Sequence, residues 1–349
     1  MSPADRNAST SGLFERAVGG DRRALARLLS VVERGGDEGR ALAGLTYARA
    51  GAAYTVGMTG APGSGKSTLT GAIAGQLRRE VGTTVAVIAV DPSSPLSGGA
   101  ILGDRVRMQE HALDDGVYVR SMATRGHLGG LAAAVPDAVR LLDAANWPLV
   151  IVETVGVGQV EVEVAATCDT VVVVVNPGWG DSVQANKAGL LEIADVLVIN
   201  KADRPGVRET RRDLQNMLEL SGEIAWTPPI VETVASSGTG VAELWTAISS
   251  HREFLQAGGE LERRRSLRAY EEALRLASAV YLEELESAAK SPPLDALLVE
   301  LSDRRVTPFD AALLLGDAAA RRILDRASGA SATGDGEITG SGQEGGPTP

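Results

Sequence analysis

An α/β fold, a doubly wound and mostly parallel sheet with N-terminal and C-terminal helical extensions, is predicted by three features of the sequence. Apolar runs of strand length alternate with helical segments between residues 54 and 236. Several of these runs are continuous rather than alternating, VVVVV at 171–175 being the clearest, which suits strands buried on both faces of a parallel sheet. On either side of this region the apolar residues recur at helical spacing.

Taken in order, residues 1–11 are polar and read as disordered. From Gly12 to about Ala50, positions such as Ala24, Leu25, Leu28, Leu29, Val31 and Val32 mark helices, broken at Gly35 and Gly36. Seven strands follow, at Tyr54–Gly60, Thr84–Val90, Val117–Met122, Leu149–Glu153, Thr170–Asn176, Val196–Asn200 and Ile230–Ala235, with helices such as Ser67–Glu80 and Arg208–Leu220 between them. From Val241 to Ser328 the pattern is helical, and Leu261–Lys290 mixes Arg and Glu with Leu267, Tyr270, Leu274, Leu276 and Tyr281. That stretch reads as a surface helix or a subunit interface. The tail, 327–349, is Gly, Ser, Thr and Pro with little apolar content, and reads as disordered.

Composition removes several classes of function. A net charge of −11 disfavours nucleic acid as a partner, because a phosphate backbone calls for a basic face. One cysteine and three histidines do not build a soft-metal site. No run approaches the ~18 apolar residues of a membrane helix. The opening residues lack a basic start followed by an apolar stretch, so the expected compartment is the cytoplasm. Arg outnumbers Lys 30 to four, the lysines being Lys66, Lys187, Lys201 and Lys290. A chain that uses Arg almost everywhere yet keeps Lys at a few positions points to sites that need a compact ammonium.

The segment from Gly60 through Ala61, Pro62, Gly63, Ser64, Gly65 and Lys66 to Ser67 fits GxxxxGK[ST], and it stands between the apolar strand YTVGMTG and the helix opening at Ser67-Thr68. This predicts the phosphate-binding loop of a P-loop NTPase. Glycines let the backbone turn its N–H groups toward phosphate oxygens, and the helix N-terminus favours an anion. Lys66 is expected on the β- and γ-phosphates and Ser67 on Mg²⁺. LVIVETVG at 149–156 is a strand ending in Glu153 with Gly156 three residues on, which reads as the carboxylate that approaches Mg²⁺ and the amide that senses the γ-phosphate. Asp91, at the end of the second strand, is placed to bind Mg²⁺ or its waters. Asp104 reads equally as a metal-linked acid or as a helix N-cap.

Asn200-Lys201-Ala202-Asp203 ends a predicted strand and fits NKxD. The Asp203 carboxylate can accept both guanine N1–H and N2–H, whereas adenine offers no such pair of donors. The stem of Lys201 can lie along the base, and Asn200 can tie this loop to the phosphate loop. Ser236, Ser237 and Gly238, after the last strand, offer a backbone N–H to guanine O6 or form an ordinary turn. The nucleotide is therefore expected to be GTP or GDP.

Together GAPGSGKST, VAVIAVDPSSP, GAILGDRVRM, VIVETVGVGQ, VNPGWGD with QANKAG, and VLVINKAD resemble the MeaB/ArgK family of P-loop GTPases over roughly residues 12–325. The resemblance implies Mg²⁺-dependent GTP hydrolysis by a homodimer. It divides the chain into N-terminal helices within 1–50, a GTPase domain at 51–250 and a C-terminal dimerisation arm at 251–326. It also implies a client, methylmalonyl-CoA mutase or another cobalamin-dependent acyl-CoA mutase, which carries the adenosylcobalamin whose delivery the GTPase gates. By position, Asp91, Asp104 and Glu153 match the family's Mg²⁺-linked acids, and Lys187 the lysine of a mobile switch that joins the active site on client binding; its bland reading is a solvated helix residue. The switch here reads GWGDSVQANKAG, with Val183 and Ala185-Asn186 departing from the family pattern.

Val157 follows Gly156, where Ras-like GTPases carry the Gln that orients water, so slow intrinsic hydrolysis is expected. The competing readings are a GTPase metallochaperone for nickel enzymes, a transport-linked kinase, and a partner-binding module with a vestigial nucleotide site. The first lacks Cys and His ligands, NKAD weighs against the second, and the intact Lys66, Ser67 and acids weigh against the third.

Overall fold

The computed structural model describes residues 3–92, 113–124, 130–154, 167–178, 192–220, 225–292 and 294–331. Among the described residues, seven strands lie where the apolar runs predict them: β1 Tyr54–Gly60, β2 Val85–Pro92, β3 Val117–Thr124, β4 Leu149–Thr154, β5 Thr170–Val175, β6 Val196–Asn200 and β7 Ile230–Thr233. They form one sheet in the order β3-β2-β4-β1-β5-β6-β7, and every pairing is parallel. Parallel strands present all their C-terminal ends on one edge, so Gly60, Asp91, Glu153, Asn200 and Thr233 share it.

The strands are apolar at successive positions because helices cover both faces. On one face α4 (Lys66–Glu80) and α7 (Val241–Ala257) bury Leu69, Ile73, Leu244 and Ile248 against Val56, Met58, Val172 and Val198. On the other, α1 (Pro3–Val18), α2 (Arg22–Arg34), α3 (Gly36–Tyr47) and α5 (Gly130–Ala144) pack over β2, β3 and β4, while α6 (Val207–Leu220) sets Leu214 against Val173, Leu197 and Ile199. Val172 and Val173 thus bury opposite faces of one strand, as the side-chain period of two requires.

The first helix departs from the sequence reading. Residues 3–11 lie within α1 rather than in a disordered start. Thr10 is buried and donates to Glu38 Oε1 at 2.9 Å, and Phe14 and Ala17 are buried on the same helix. A short polar stretch thereby gains an anchor on α3 that composition does not reveal.

Two compact units divide the chain, Met1–Arg268 and Ala269–Pro349. The first continues past residue 250 because α7 and the start of α8 (Glu260–Ala289) complete its core, with Leu255 and Leu261 buried. At the edge where the strands begin, Asp169 joins β1 to β5: Thr55 N–H donates to Oδ2 at 3.0 Å, and Asp169 N–H to the Thr55 carbonyl at 3.0 Å. Arg265 reaches the same carboxylate at 2.6 Å and the carbonyls of Gly51 and Ala53, both at 2.7 Å, and Arg268 adds a second guanidinium. Burial works to raise the Asp169 carboxyl, but the two guanidinia overcome it and hold the group below its ordinary value. The second unit holds the rest of α8, a 3₁₀ turn at Leu294–Ala296, α9 (Leu297–Ser302) and α10 (Pro308–Ser331). Buried Glu284 pairs there with Arg322 and Arg326. The predicted tail begins inside α10, and residues 332–349 lie outside the described residues.

Candidate nucleotide site

At the C-terminal edge of β1 the backbone turns where only glycine fits. Gly60 has φ +135°, and a Cβ there would stand 2.0 Å from the Val174 carbonyl oxygen on β5. Gly65 has φ +93°, and its Cβ would stand 2.4 Å from Asn200 Nδ2. Between them the loop closes with Ser64 N–H on the Ala61 carbonyl at 3.1 Å, and α4 begins at Lys66. The first N–H groups of a helix have no intrahelical acceptor, so the loop and the opening turn of α4 together offer donors and positive potential to an anion.

Lys66 is buried beside that opening and donates to the carbonyls of Gly60 at 2.6 Å and Ala61 at 3.1 Å. Its ammonium is already within the loop, where a phosphate oxygen would compete for it. Ser67, one residue on, donates its hydroxyl to Glu153 Oε1. Glu153 stands one residue before the end of β4, which pairs directly with β1, Met58 standing opposite Glu153; the carboxylate is buried. The first turn of α4 and the end of β4 thus bring two hard oxygen donors together next to the phosphate loop, the donor chemistry Mg²⁺ prefers.

The predicted base-recognition segment is bonded to the same loop. Asn200 Nδ2 donates to the Ser64 carbonyl at 2.8 Å. Its Oδ1 accepts from Thr233 Oγ1 at 3.1 Å and Ala235 N–H at 3.2 Å. Lys201, with a left-handed φ of +59°, donates through Nζ to the Gly63 carbonyl at 2.6 Å. Asp203 is exposed beyond the strand end. Ser236, Ser237 and Gly238 form an exposed turn, and the Ser237 N–H is used within it, on the Val234 carbonyl at 3.0 Å. Thr68, in the first turn of α4, is exposed.

The structure therefore brings together Gly60–Thr68, Glu153, Asn200 and Lys201, with Asp203 two residues further on and the Ser236–Gly238 turn following the end of β7 on the same edge. Asp91 lies one residue before the end of β2, but its side chain, together with Asp104, Gly156 and Lys187, lies outside the described residues. Two participants were not singled out by motif. Thr233 and Ala235 fix the orientation of the Asn200 amide, and Thr233 is fully buried. A Thr at the end of a short strand carries no sequence mark of that role. Only pairing of β7 beside β6, with Thr233 opposite Asn200, reveals it.

Comparison with known proteins agrees with this geometry. The family model described as "Methylmalonyl Co-A mutase-associated GTPase MeaB" matches residues 25–290. A Pyrococcus abyssi protein that carries a provisional GTPase assignment is 48% identical over 304 residues, covering 86% of this chain and 94% of that protein. GTPase ArgK of Escherichia coli is 38% identical over 263 residues, covering 72% of this chain and 78% of that protein. The mitochondrial methylmalonic aciduria type A homolog of Caenorhabditis briggsae is 32% identical, covering 72% and 66% respectively. Among solved structures, one described as an LAO/AO transport system kinase aligns with a TM-score of 0.64 at 27% identity, covering 91% of this chain and 98% of that one. A family match across most of the chain, on a fold whose glycine-rich loop is bonded to the Asn200–Lys201 segment, establishes that this chain belongs to the MeaB family of P-loop GTPases.

Proposed function

We propose that this protein is a GTP-hydrolysing chaperone that gates delivery of adenosylcobalamin to, and protects, a cobalamin-dependent acyl-CoA mutase, with methylmalonyl-CoA mutase the first candidate client. The family description and the printed name of the C. briggsae relative support the client class. The observation that carries the nucleotide reading is the Asn200–Ser64 hydrogen bond, which ties the base-recognition segment to the phosphate loop.

In this reading the loop amides and Lys66 hold the β- and γ-phosphates, and Asp203 accepts the two guanine donors. Ser67 and Glu153, joined by Asp91 and Asp104, would hold Mg²⁺, which when bound neutralises charge on the phosphates. Gly156 senses the γ-phosphate. Loss of that phosphate releases the segments it ordered, so the nucleotide acts as a timer. Lys187 supplies part of the stimulation when the client docks. The cobalamin stays with the client.

A homodimer is part of the proposal. Leu267, Tyr270, Leu274 and Tyr281 recur on α8 at coiled-coil spacing and are all exposed, from 39% to 63%. A second copy of the chain would cover them. Among the described residues no helix is long and apolar enough to cross a membrane; a cytoplasmic location is the expectation. GTP turnover measured with and without a cobalamin-dependent acyl-CoA mutase tests the proposal. Stimulation that Lys187→Ala diminishes supports it. Turnover unmoved by any such mutase, or transfer of phosphate to a protein acceptor, contradicts it.

A further inference from the structure

At the sheet edge remote from the nucleotide loop lies a cavity of about 900 Å³. Asp195 stands on its floor, immediately before β6, and Asn200 ends that strand. Five residue steps along the strand separate the two, about 17 Å, so the cavity is no part of the phosphate crevice. Its volume falls in the range of small-molecule sites, which are apolar clefts with a few convergent polar groups.

The walls are aromatic and aliphatic. Trp226 and Phe254 stand with ring centroids 5.2 Å apart, and Leu218 and Pro228 continue the apolar surface. Trp226 is held in place, because its indole N–H donates to the Asp195 carbonyl at 2.8 Å. The polar atom is thus spent on backbone, and what the residue offers a ligand is its ring.

The polar lining is unbalanced. Among the described residues that line it, Glu192, Asp195 and Glu260 face it with Arg264 as the one cation. That guanidinium is shared, at 3.2 Å from Glu260 Oε1 and 3.4 Å from Asp195 Oδ1. Arg263 supports Glu260 from outside the lining, at 2.7 Å. Asp195 Oδ2 accepts the Val171 N–H at 2.8 Å, and its Oδ1 lies 3.2 Å from His251 Nε2. His251 supplies no charge: burial pushes it down to about 4, and Nδ1 sits 2.8 Å from Thr170 Oγ1. Burial raises the Asp195 carboxyl to about 6, against the opposing pull of the Val171 N–H, Arg264 and Arg268.

We propose that this cavity is a second ligand site of the protein, built for a small organic cation with an apolar body, an aliphatic or aromatic amine. The apolar body fills the slot beside Trp226 and Phe254, whose ring faces attract a cation. The ammonium takes up the excess negative charge of Asp195 and Glu192. An anion would add to that excess, and a neutral ligand would leave it.

Calorimetric titration of the full chain with phenethylamine, 2-phenylethanol and 3-phenylpropionate at pH 7.5 tests this, the three probes differing in the charge of one end. The expected result is that the amine binds, the alcohol binds at least tenfold more weakly, and the acid gives no heat. Asp195→Asn should weaken the amine at least tenfold. Glu192→Gln, at an exposed position, should weaken it several-fold, with GDP binding unchanged in both as the check on folding. Equal affinity for amine and alcohol, no binding of the amine, or amine binding unaltered in both variants overturns the proposal.

Discussion

Asn200 Nδ2 stands 2.8 Å from the Ser64 carbonyl, and a Cβ on the neighbouring Gly65 would come within 2.4 Å of that same nitrogen. The glycine is needed for the packing of two loops as well as for its positive φ. Gly65→Ala should therefore push the Asn200 amide away and disturb both base and phosphate sites. GDP affinity, read with a fluorescent nucleotide, should fall at least about tenfold, with the far-ultraviolet circular dichroism unchanged.

Thr233 holds the other end of the same amide. Thr233→Val keeps the shape and removes the donor to Asn200 Oδ1, leaving Ala235 N–H as a remaining partner. A lost hydrogen bond of this kind costs about 1 kcal/mol. GDP affinity should drop roughly fivefold, mainly through faster release in a stopped-flow chase.

In the proposed reading, base choice rests on Asp203. Replacing it with Ala removes an acceptor for two guanine donors, and a site built around such donors discriminates strongly. GTP affinity should fall about a hundredfold or more, while the weak affinity for ATP stays as it was. Equal losses for both nucleotides would show that Asp203 supports the loop rather than reads the base.

Asp169 makes a stability prediction with a defined pH sign. Its carboxyl is held below the ordinary value of 3.8, so the stability it contributes is present above that value and is lost as pH falls through the folded-state value. Asp169→Asn should cost about 2–3 kcal/mol near pH 7; the guanidinia it leaves keep some solvent contact, so the loss is below that for a fully buried pair. The gap between wild type and variant in urea melts should narrow below pH 4.

Asp195 and His251 oppose each other. The raised Asp195 carboxyl contributes stability present below 3.8 and lost as pH rises through about 6. The depressed His251 costs stability as pH falls from 6.5 toward about 4, because the unfolded chain takes up a proton the folded one refuses. Asp195 also faces Arg264 and the Val171 N–H, neither of which titrates in this window. Asp195→Asn should leave the His251 trend unopposed, so the variant should lose stability relative to wild type as pH drops from 6.5 to 4.

The strands and the phosphate loop were legible because their causes are local. Continuous apolar runs require a sheet covered on both faces, and Gly60, Gly65 and Lys66 have roles set by a single turn. Tyr54–Gly60 and Val196–Asn200 have the bounds the sequence predicts. What sequence did not reveal depends on contacts between distant segments. Thr10 is a polar residue anchored by a hydrogen bond to Glu38, 28 positions away, and Thr233 acquires its role only through β7 pairing with β6. Arg265 and Arg268 read as charges on a surface helix, yet they clamp Asp169 almost a hundred residues earlier in the chain. The cavity at Asp195 likewise draws on three separate stretches of chain, none with a motif of its own.

The most direct test of the central claim is equilibrium displacement of a fluorescent GDP from the purified protein by unlabelled GTP and ATP in the presence of Mg²⁺. Stoichiometric displacement by GTP, with ATP ineffective at a hundredfold excess, is the predicted result. Displacement by ATP at concentrations comparable to GTP would contradict the assignment of Asn200–Asp203 as a guanine site.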